Sequence, residues 1–428
     1  MMNLKPRLRL TEFSKAPQYT PYKFDDIFVF SSGKNIKQKE ASPEFNTPCV
    51  RYGELYHMYG EVITKTINRT NLDHSELTFS YGNEILLPSA GEDPFDIGSA
   101  SALILKDVAI GRTINVLRPK GDIDYSHVYV SYYINEKLRK RISKLARGAS
   151  ISNVYNSDLK TLKANLPEIS EQKKIASFLS KIDEKIGLLS EKKDKLTEYK
   201  RGVMQQLFSG EWKVENGKLA FVPPTLRFKA DDGSEFPDWE EKTLKSVFSI
   251  LNGFAFKSTD SRTNGTRWLK IADVGVEKIS NKNISFLPKD YLEKYKKFAL
   301  KKGDVVVALT RPVLNDQLKI AFVDDSSDGA LLNQRVGKLN TKECLIYVYY
   351  LAQCKRVVSS IVQNIAGTDP PNLAPTDINH IKVTLPSLVE QKKIANFLSA
   401  IDQKIALTNS ELEKAKEWKK GSLQQMFV

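Results

Sequence analysis

Along the chain the clearest pattern is a run of apolar positions at alternating steps of four and three. It comprises Ile175, Leu179, Ile182, Ile186, Leu189, Leu196, Val203 and Leu207, with Lys193 and Lys200 in two skipped places. This heptad spacing predicts a long helix that packs lengthwise on another helix. The same spacing returns at Ile394, Leu398, Ile401, Ile405, Leu412, Ala415 and Met426. There Thr408, Lys419 and Ser422 stand at seam places, which puts them in solvent or against another protein. Leu-Pro precedes each run, and a residue before proline avoids the helical region. Glu171 and Glu390 fall in the first turn, where a negative charge suits the helix dipole. The plainer alternative for each helix is an amphipathic strut lying on its own domain.

The two helical tracts are copies. LPEISEQKKIASFLSKIDEKIGLLSEKKDKLTEYKRGVMQQLF from Leu166 aligns without a gap with LPSLVEQKKIANFLSAIDQKIALTNSELEKAKEWKKGSLQQMF from Leu385, and about half the positions are identical. Upstream, Gly148, Asn153, Asp158 and Leu162 match Gly367, Asn372, Asp377 and Ile381, and PRLRL at Pro6 matches PTLRF at Pro224. The chain therefore reads as two copies of a unit of roughly two hundred residues, the size of a large domain. The expected organisation is a globular domain over 1–165, a central repeated helix over 166–209, a second globular domain over 210–384 and a distal repeated helix over 385–428. Two such helices, separated by a domain, pack most simply antiparallel, as an internal pseudo-two-fold repeat. About 35 helical residues would span about 50 Å and hold the two domains apart.

The regions between the helices read as mixed α/β, so the fold class is α/β (α+β). Short apolar runs bounded by turn residues predict strands at DIFVF (Asp26), ALILKDVAIG (Ala102), KSVFSIL (Lys245), DVVVAL (Asp304) and KIAFV (Lys319). HVYVSYYI at His127 fits a strand or the start of a helix, as does LIYVYYLAQ at Leu345.

Charge then narrows the function. Lys and Arg total 65 against 51 Asp and Glu, giving +14, a balance that attracts polyanions and nucleic acid first. Cys49, Cys344 and Cys354 are odd in number and lack CxxC spacing, so neither a disulfide framework nor a structural zinc site is expected. The basic start lacks the apolar run of a signal peptide and no stretch reaches the length of a membrane span, which together predict a soluble cytoplasmic protein with no membrane partner. Basic and amide residues gather near turns: Lys34, Lys37, Lys39, Arg112, Arg118 and Lys120 in the first unit, Lys257, Arg262, Arg267, Lys270, Arg311, Asn333, Gln334 and Arg335 in the second. Ser152, Asn153 and Thr368, from the matched loops before the helices, complete the candidate DNA-binding set. Arg and Lys read guanine and Asn and Gln read adenine in the major groove, although most basic residues near DNA touch phosphate or nothing.

Motifs that would make the chain an enzyme fail on inspection. Asp369-Pro370-Pro371-Asn372 is similar to the DPPY tract of amino-methyltransferases, but its fourth residue is not aromatic and no glycine-rich cofactor loop accompanies it. Pro237-Asp238 with Glu240 and Lys242 has the letters of a PD-(D/E)xK nuclease, packed too closely to share a metal across neighbouring strands. No GxxxxGK[ST] loop is present, and His57, His74, His127 and His380 form no HxH or HxxxH cluster. No catalytic residue, metal site or cofactor is expected on this chain.

With these residues in place, the chain resembles the specificity subunits of type I restriction-modification systems over nearly its full length. The doubled LPxxxEQKKIAxFLSxIDxKI tract at Leu166 and Leu385, with its KxGxxQQxF ending, carries most of the resemblance. PTLRF at Pro224, NGFAFKS at Asn252, GDVVVALTRP at Gly303 and NQRVGKL at Asn333 add to it, whereas SSGKNIKQK at Ser31 matches NGFAFKS only loosely. The resemblance implies two target-recognition domains, each reading one half of a split, asymmetric site in double-stranded DNA. It further implies paired helices that space the halves and recruit two methyltransferase subunits. Those subunits bring S-adenosylmethionine and methylate adenine, with ATP-driven restriction subunits as optional further partners. For the helix pairing itself, Ile175, Leu179, Ile182, Ile186, Leu189 and Leu196 are expected opposite Ile394, Leu398, Ile401, Ile405 and Leu412. Two rival readings are a non-specific DNA-binding coiled-coil scaffold and a self-contained methyltransferase.

Overall fold

The computed structural model describes residues 5–121, 124–215, 218–365 and 370–428. They form two compact units: 1–191 with 409–428, and 192–408. The helices span Ile169–Leu207 and Leu388–Met426. The expected division kept each helix as a separate segment, whereas the compact units divide each helix between them.

In the first unit a five-stranded sheet has the order Phe28–Ser32, Ile114–Pro119, Glu84–Pro88, Ser101–Leu103, Val62–Ile63. A four-stranded sheet orders Asn68–Thr70, Thr47–Val50, Lys106–Ile110 and Phe79–Tyr81. In the second unit the matching sheet orders Phe248–Asn252, Val336–Thr341, Val305–Ala308 and Ile320–Phe322, and a three-stranded sheet orders Ser285–Leu287, Thr266–Leu269 and Leu331–Leu332. Strands such as VVVA are continuously apolar because both faces of the sheet are covered. Val305 and Val307 face one core and Val306 and Ala308 another, as period-two side chains must. The first unit repeats this with Ile85 and Leu87 on one side and Leu86 on the other.

The two segments left open between strand and helix are helices, and some expected strands come out differently. HVYVSYY is a helix, His127–Tyr133, and LIYVYYLAQ is a helix, Leu345–Gln353. Both lie largely buried against a core, where a mostly apolar segment fits a helix as well as a strand. DIFVF and KSVFSIL each begin with a helical turn (Phe24–Ile27, Leu244–Val247) before the strand, and ALILKDVAIG splits into Ser101–Leu103 and Lys106–Ile110.

Each helical seam serves two purposes. Ile175, Leu179 and Ile182 enter the first unit's core together with Leu423, Met426 and Phe427 from the end of the second helix. Ile394, Leu398 and Ile401 enter the second unit's core with Val203, Leu207 and Phe208 from the end of the first helix. Ile405 packs at the edge of that core, and Leu196 is half-buried. Within the first unit Leu189, with Ile186 beside it, packs on Leu412 and Ala415, and Asp183 meets Lys419. Residue numbers rise along one helix as they fall along the other, so the pair is antiparallel. The strut and the helix pair are thus both present in one seam.

Four of the seam's polar residues are taken up by the fold. Thr408 and Ser422 are buried. Lys419 Nζ lies 2.8 Å from Glu61 and 2.7 Å from Asp183, whose other oxygen accepts the Tyr132 hydroxyl at 2.6 Å. The second unit repeats the arrangement: Lys200 Nζ lies 2.6 Å from Glu277 and 2.7 Å from Asp402, which accepts the Tyr350 hydroxyl at 2.6 Å.

Candidate nucleic-acid interface

The two domains build a loop face from six backbone hydrogen bonds, five of them equivalent and the one from Arg112 or Gln334 shifted by a residue at its acceptor. In the first, Gly33 N–H donates to Ile114 O, Lys34 to Ile110, Gly111 to Val50, Arg112 to Asn35, Ser89 to Thr113 and Val154 to Ser89. In the second, Gly253 donates to Val336 O, Phe254 to Leu332, Asn333 to Leu269, Gln334 to Phe254, Leu309 to Arg335 and Leu373 to Leu309. These bonds draw together, in each unit, the end of one strand, the loops 111–113 or 333–335, and the segment before the long helix. Glycine is required at both corners. A Cβ on Gly33 would sit 2.1 Å from Gly111 O, and one on Gly253 would sit 2.2 Å from Leu332 O. SSGKNIKQK and NGFAFKS, only loosely alike as letters, are therefore the same structural element. Ile36 and Phe256 are its buried anchors, and Lys37 N–H and Lys257 N–H donate to the carboxylates of Glu40 and Asp260.

The frame sorts the candidate residues. Arg118 donates to Glu84 and to Phe79 O, and stacks over Tyr81. On the Ile114–Pro119 strand it lies opposite Val29, while Asn115, beside the loop end, lies opposite Ser32. Arg118 and Lys120, whose ammonium donates to Asp25 O, are thus at the far end of the strand from Lys34 and Arg112. Arg267 is buried and bonds Ser326 and Ser280 O, which corrects its expected place on a free surface: the side chain serves the fold. Arg262 donates to the carbonyls of Thr259 and Ser261, and the Lys270 ammonium lies 4.1 Å from the Trp268 ring centre. Ser152 and Asn333 are buried, and Asn333 Oδ1 accepts Arg335 N–H. Asn153 donates to Ile151 O. Thr368 lies outside the described residues.

Lys34, Lys37, Lys39, Arg112, Lys257, Arg311, Gln334 and Arg335 are exposed. Among the described residues, no hydrogen bond or ion pair engages these eight side chains. Beside Gln334 and Arg335 a cleft of about 390 Å³ is lined by Asn252, Thr310, Asn372 and Pro375. Thr310 Oγ1 donates to Asn372 Oδ1 at 2.7 Å, and Arg311 N–H donates to Pro371 O. Burial, and after it the Arg311 charge, hold the half-buried Lys319 ammonium below its ordinary value. Asn252, Thr310 and Asn372 were not in the candidate DNA-binding set, although Asn252 opens the NGFAFKS tract and Asn372 ends the tract rejected as a methyltransferase motif. Their only signal is position in matched segments. No cluster of His, Cys, Asp and Glu suited to a metal occurs among the described residues, and no helix among them is long and apolar enough to cross a membrane.

A tandem pair of equivalent loop faces, built on one frame and displaying different side chains, defines a class of two-site recognition proteins. The type I restriction modification DNA specificity domain matches residues 18–198 and again 237–417, and the chain belongs to that family. It is 34% identical over 343 residues to the specificity subunit of type I restriction enzyme MjaVIII from Methanocaldococcus jannaschii, covering 79% of this chain and 76% of the relative. The putative MjaX specificity subunit of the same organism is 29% identical over 320 residues, 72% of this chain and 69% of the relative. The solved S subunit of a type I system from M. genitalium shares the fold, with a TM-score of 0.65 over 99% of both chains at 17% identity.

Proposed function

We propose that the chain is the DNA-reading, non-catalytic subunit of a type I restriction-modification complex, each domain taking one half of a split, asymmetric duplex site. The observation that carries this is the repeated loop frame: five of its six backbone bonds match while the free side chains do not. Lys34 and Arg112 stand where the second domain has Phe254 and Gln334. Exposed basic residues on such faces supply the phosphate attraction, and the amide and guanidinium groups supply base readout. The antiparallel helices recruit two methyltransferase subunits, which bring S-adenosylmethionine and methylate adenine. ATP-driven restriction subunits join the same complex where cleavage follows.

Co-expression of the chain with a type I methyltransferase subunit, followed by mapping of methylated adenines, tests this. Methylation confined to one two-part sequence is expected. Methylation without the chain, or at no defined sequence, overturns the proposal and returns the chain to a non-specific DNA scaffold.

A further inference from the structure

Loops 111–113 and 333–335 occupy the same place in the two domains and are tied to the frame by backbone bonds. Each is fixed on three sides. The N–H of Gly111 or Asn333 bonds a strand of the smaller sheet, the next N–H bonds the glycine corner, and the carbonyl of Thr113 or Arg335 accepts from Ser89 or Leu309. A positive φ of 68° at Thr113 turns the first loop, and the Asn333 side chain caps the second. At the middle of each loop stands one exposed side chain with its polar atoms free, Arg112 and Gln334. Base readout demands such a combination, because a bidentate contact needs a donor set whose backbone does not move. Arg118, Arg262 and Arg267 already spend donors inside the fold, whereas Arg311 and Arg335 are exposed and unengaged but do not stand at the middle of a loop, the position at which Gln334 matches Arg112. The free lysines Lys34, Lys37, Lys39 and Lys257 are single charges on flexible stems, suited to phosphate.

We infer that these two loops are the base-reading elements, with Arg112 recognising a guanine in one half-site and Gln334 an adenine in the other. The inference rests on the DNA-reading function proposed above. The guanidinium matches the O6 and N7 acceptors of guanine, and the carboxamide matches the N7 acceptor and N6 donor of adenine in the major groove. The two half-sites thus differ in sequence because one scaffold position carries different chemistry in its two copies.

The test selects bound sequences from a random duplex pool at fixed salt, using the full chain as wild type, Arg112→Gln, Gln334→Arg and Lys39→Ala. Arg112→Gln is expected to change guanine to adenine at one position of one half only, by roughly tenfold to hundredfold in preference. Gln334→Arg is expected to make the reverse change in the other half, and Lys39→Ala to keep the motif. An unchanged motif in both loop variants overturns the inference while leaving the DNA-reading function standing. Equal weakening on every sequence, the mark of a phosphate contact, also overturns it. If the wild type itself selects no motif, the proposed function falls first and the loop assignment with it.

Discussion

Glu171 and Glu390 are fully buried at the starts of the long helices, and each is gripped by an arginine from the tract before its domain. Arg9 donates to Glu171 through Nε at 2.8 Å and Nη2 at 2.6 Å, and Arg227 donates to Glu390 at 3.0 and 3.1 Å. The neighbouring Gln172 accepts Ser126 N–H and donates to Pro167 O, as Gln391 accepts Cys344 N–H and donates to Pro386 O. The repeated letters E and Q thus join the helix to the arginine tract and to the buried helix of the domain. A buried charge left alone is costly, so Arg9→Met is expected to destabilise the first unit by about 3–5 kcal/mol. Arg9→Met combined with Glu171→Leu should recover much of that loss. Denaturant unfolding of the single and double variants measures both, and a double variant no more stable than the single would show that the pair's charge is not the cause. PRLRL and PTLRF were visible in the sequence as a repeat. Their partners were not, because Glu171 and Glu390 lie more than a domain away along the chain and their place in the first turn already explained them by the helix dipole alone.

At the scale of elements, the long helices were legible because an apolar heptad is a local pattern. The lysines in the seam were not, because a lysine there reads as a solvated gap, whereas Lys419 and Lys200 are met by carboxylates from both the opposite helix and the domain. The loop faces were legible only in part for the same reason. Arg112 and Arg118 look alike as letters, and only the fold shows that Glu84 occupies one of them. The lysine junction fixes the antiparallel register, since a shift of either helix would strip Lys419 of Asp183. Asp183→Asn is expected to cost about 2 kcal/mol, in the range for a hydrogen bond to a charged group. Burial lowers the Lys419 pKa, but Glu61 and Asp183 outweigh it and hold the ammonium above its ordinary 10.5. A raised lysine pKa contributes stability that is complete below 10.5 and is lost as pH climbs through the folded value. Stability of the wild type should therefore fall more steeply above pH 10.5 than that of Lys419→Met. Parallel pH–Tm curves for the two proteins would remove Lys419 from the account.

At the scale of the whole molecule, the first unit is made from both ends of the chain. Leu8 N–H bonds Gln425 O, the Tyr133 hydroxyl bonds Val428 O, and Phe427 packs 5.1 Å from the Tyr129 ring. The second unit closes its core with the matching residue just after the first helix, Phe208, 5.4 Å from Tyr347. Each domain is therefore completed by the end of the helix that belongs, in the repeat, to the other copy. This exchange follows from an antiparallel pair of repeated tracts: the last turn of each helix arrives beside the first turn of its copy. It also means that two substitutions at one repeat position should act on different units. Phe427→Ala is expected to cost about 3–5 kcal/mol and to lower hydrogen-exchange protection in residues 5–191. Phe208→Ala should cost a similar amount and lower protection in 243–384 instead. Equal loss in both units from either variant would show that the two cores unfold as one.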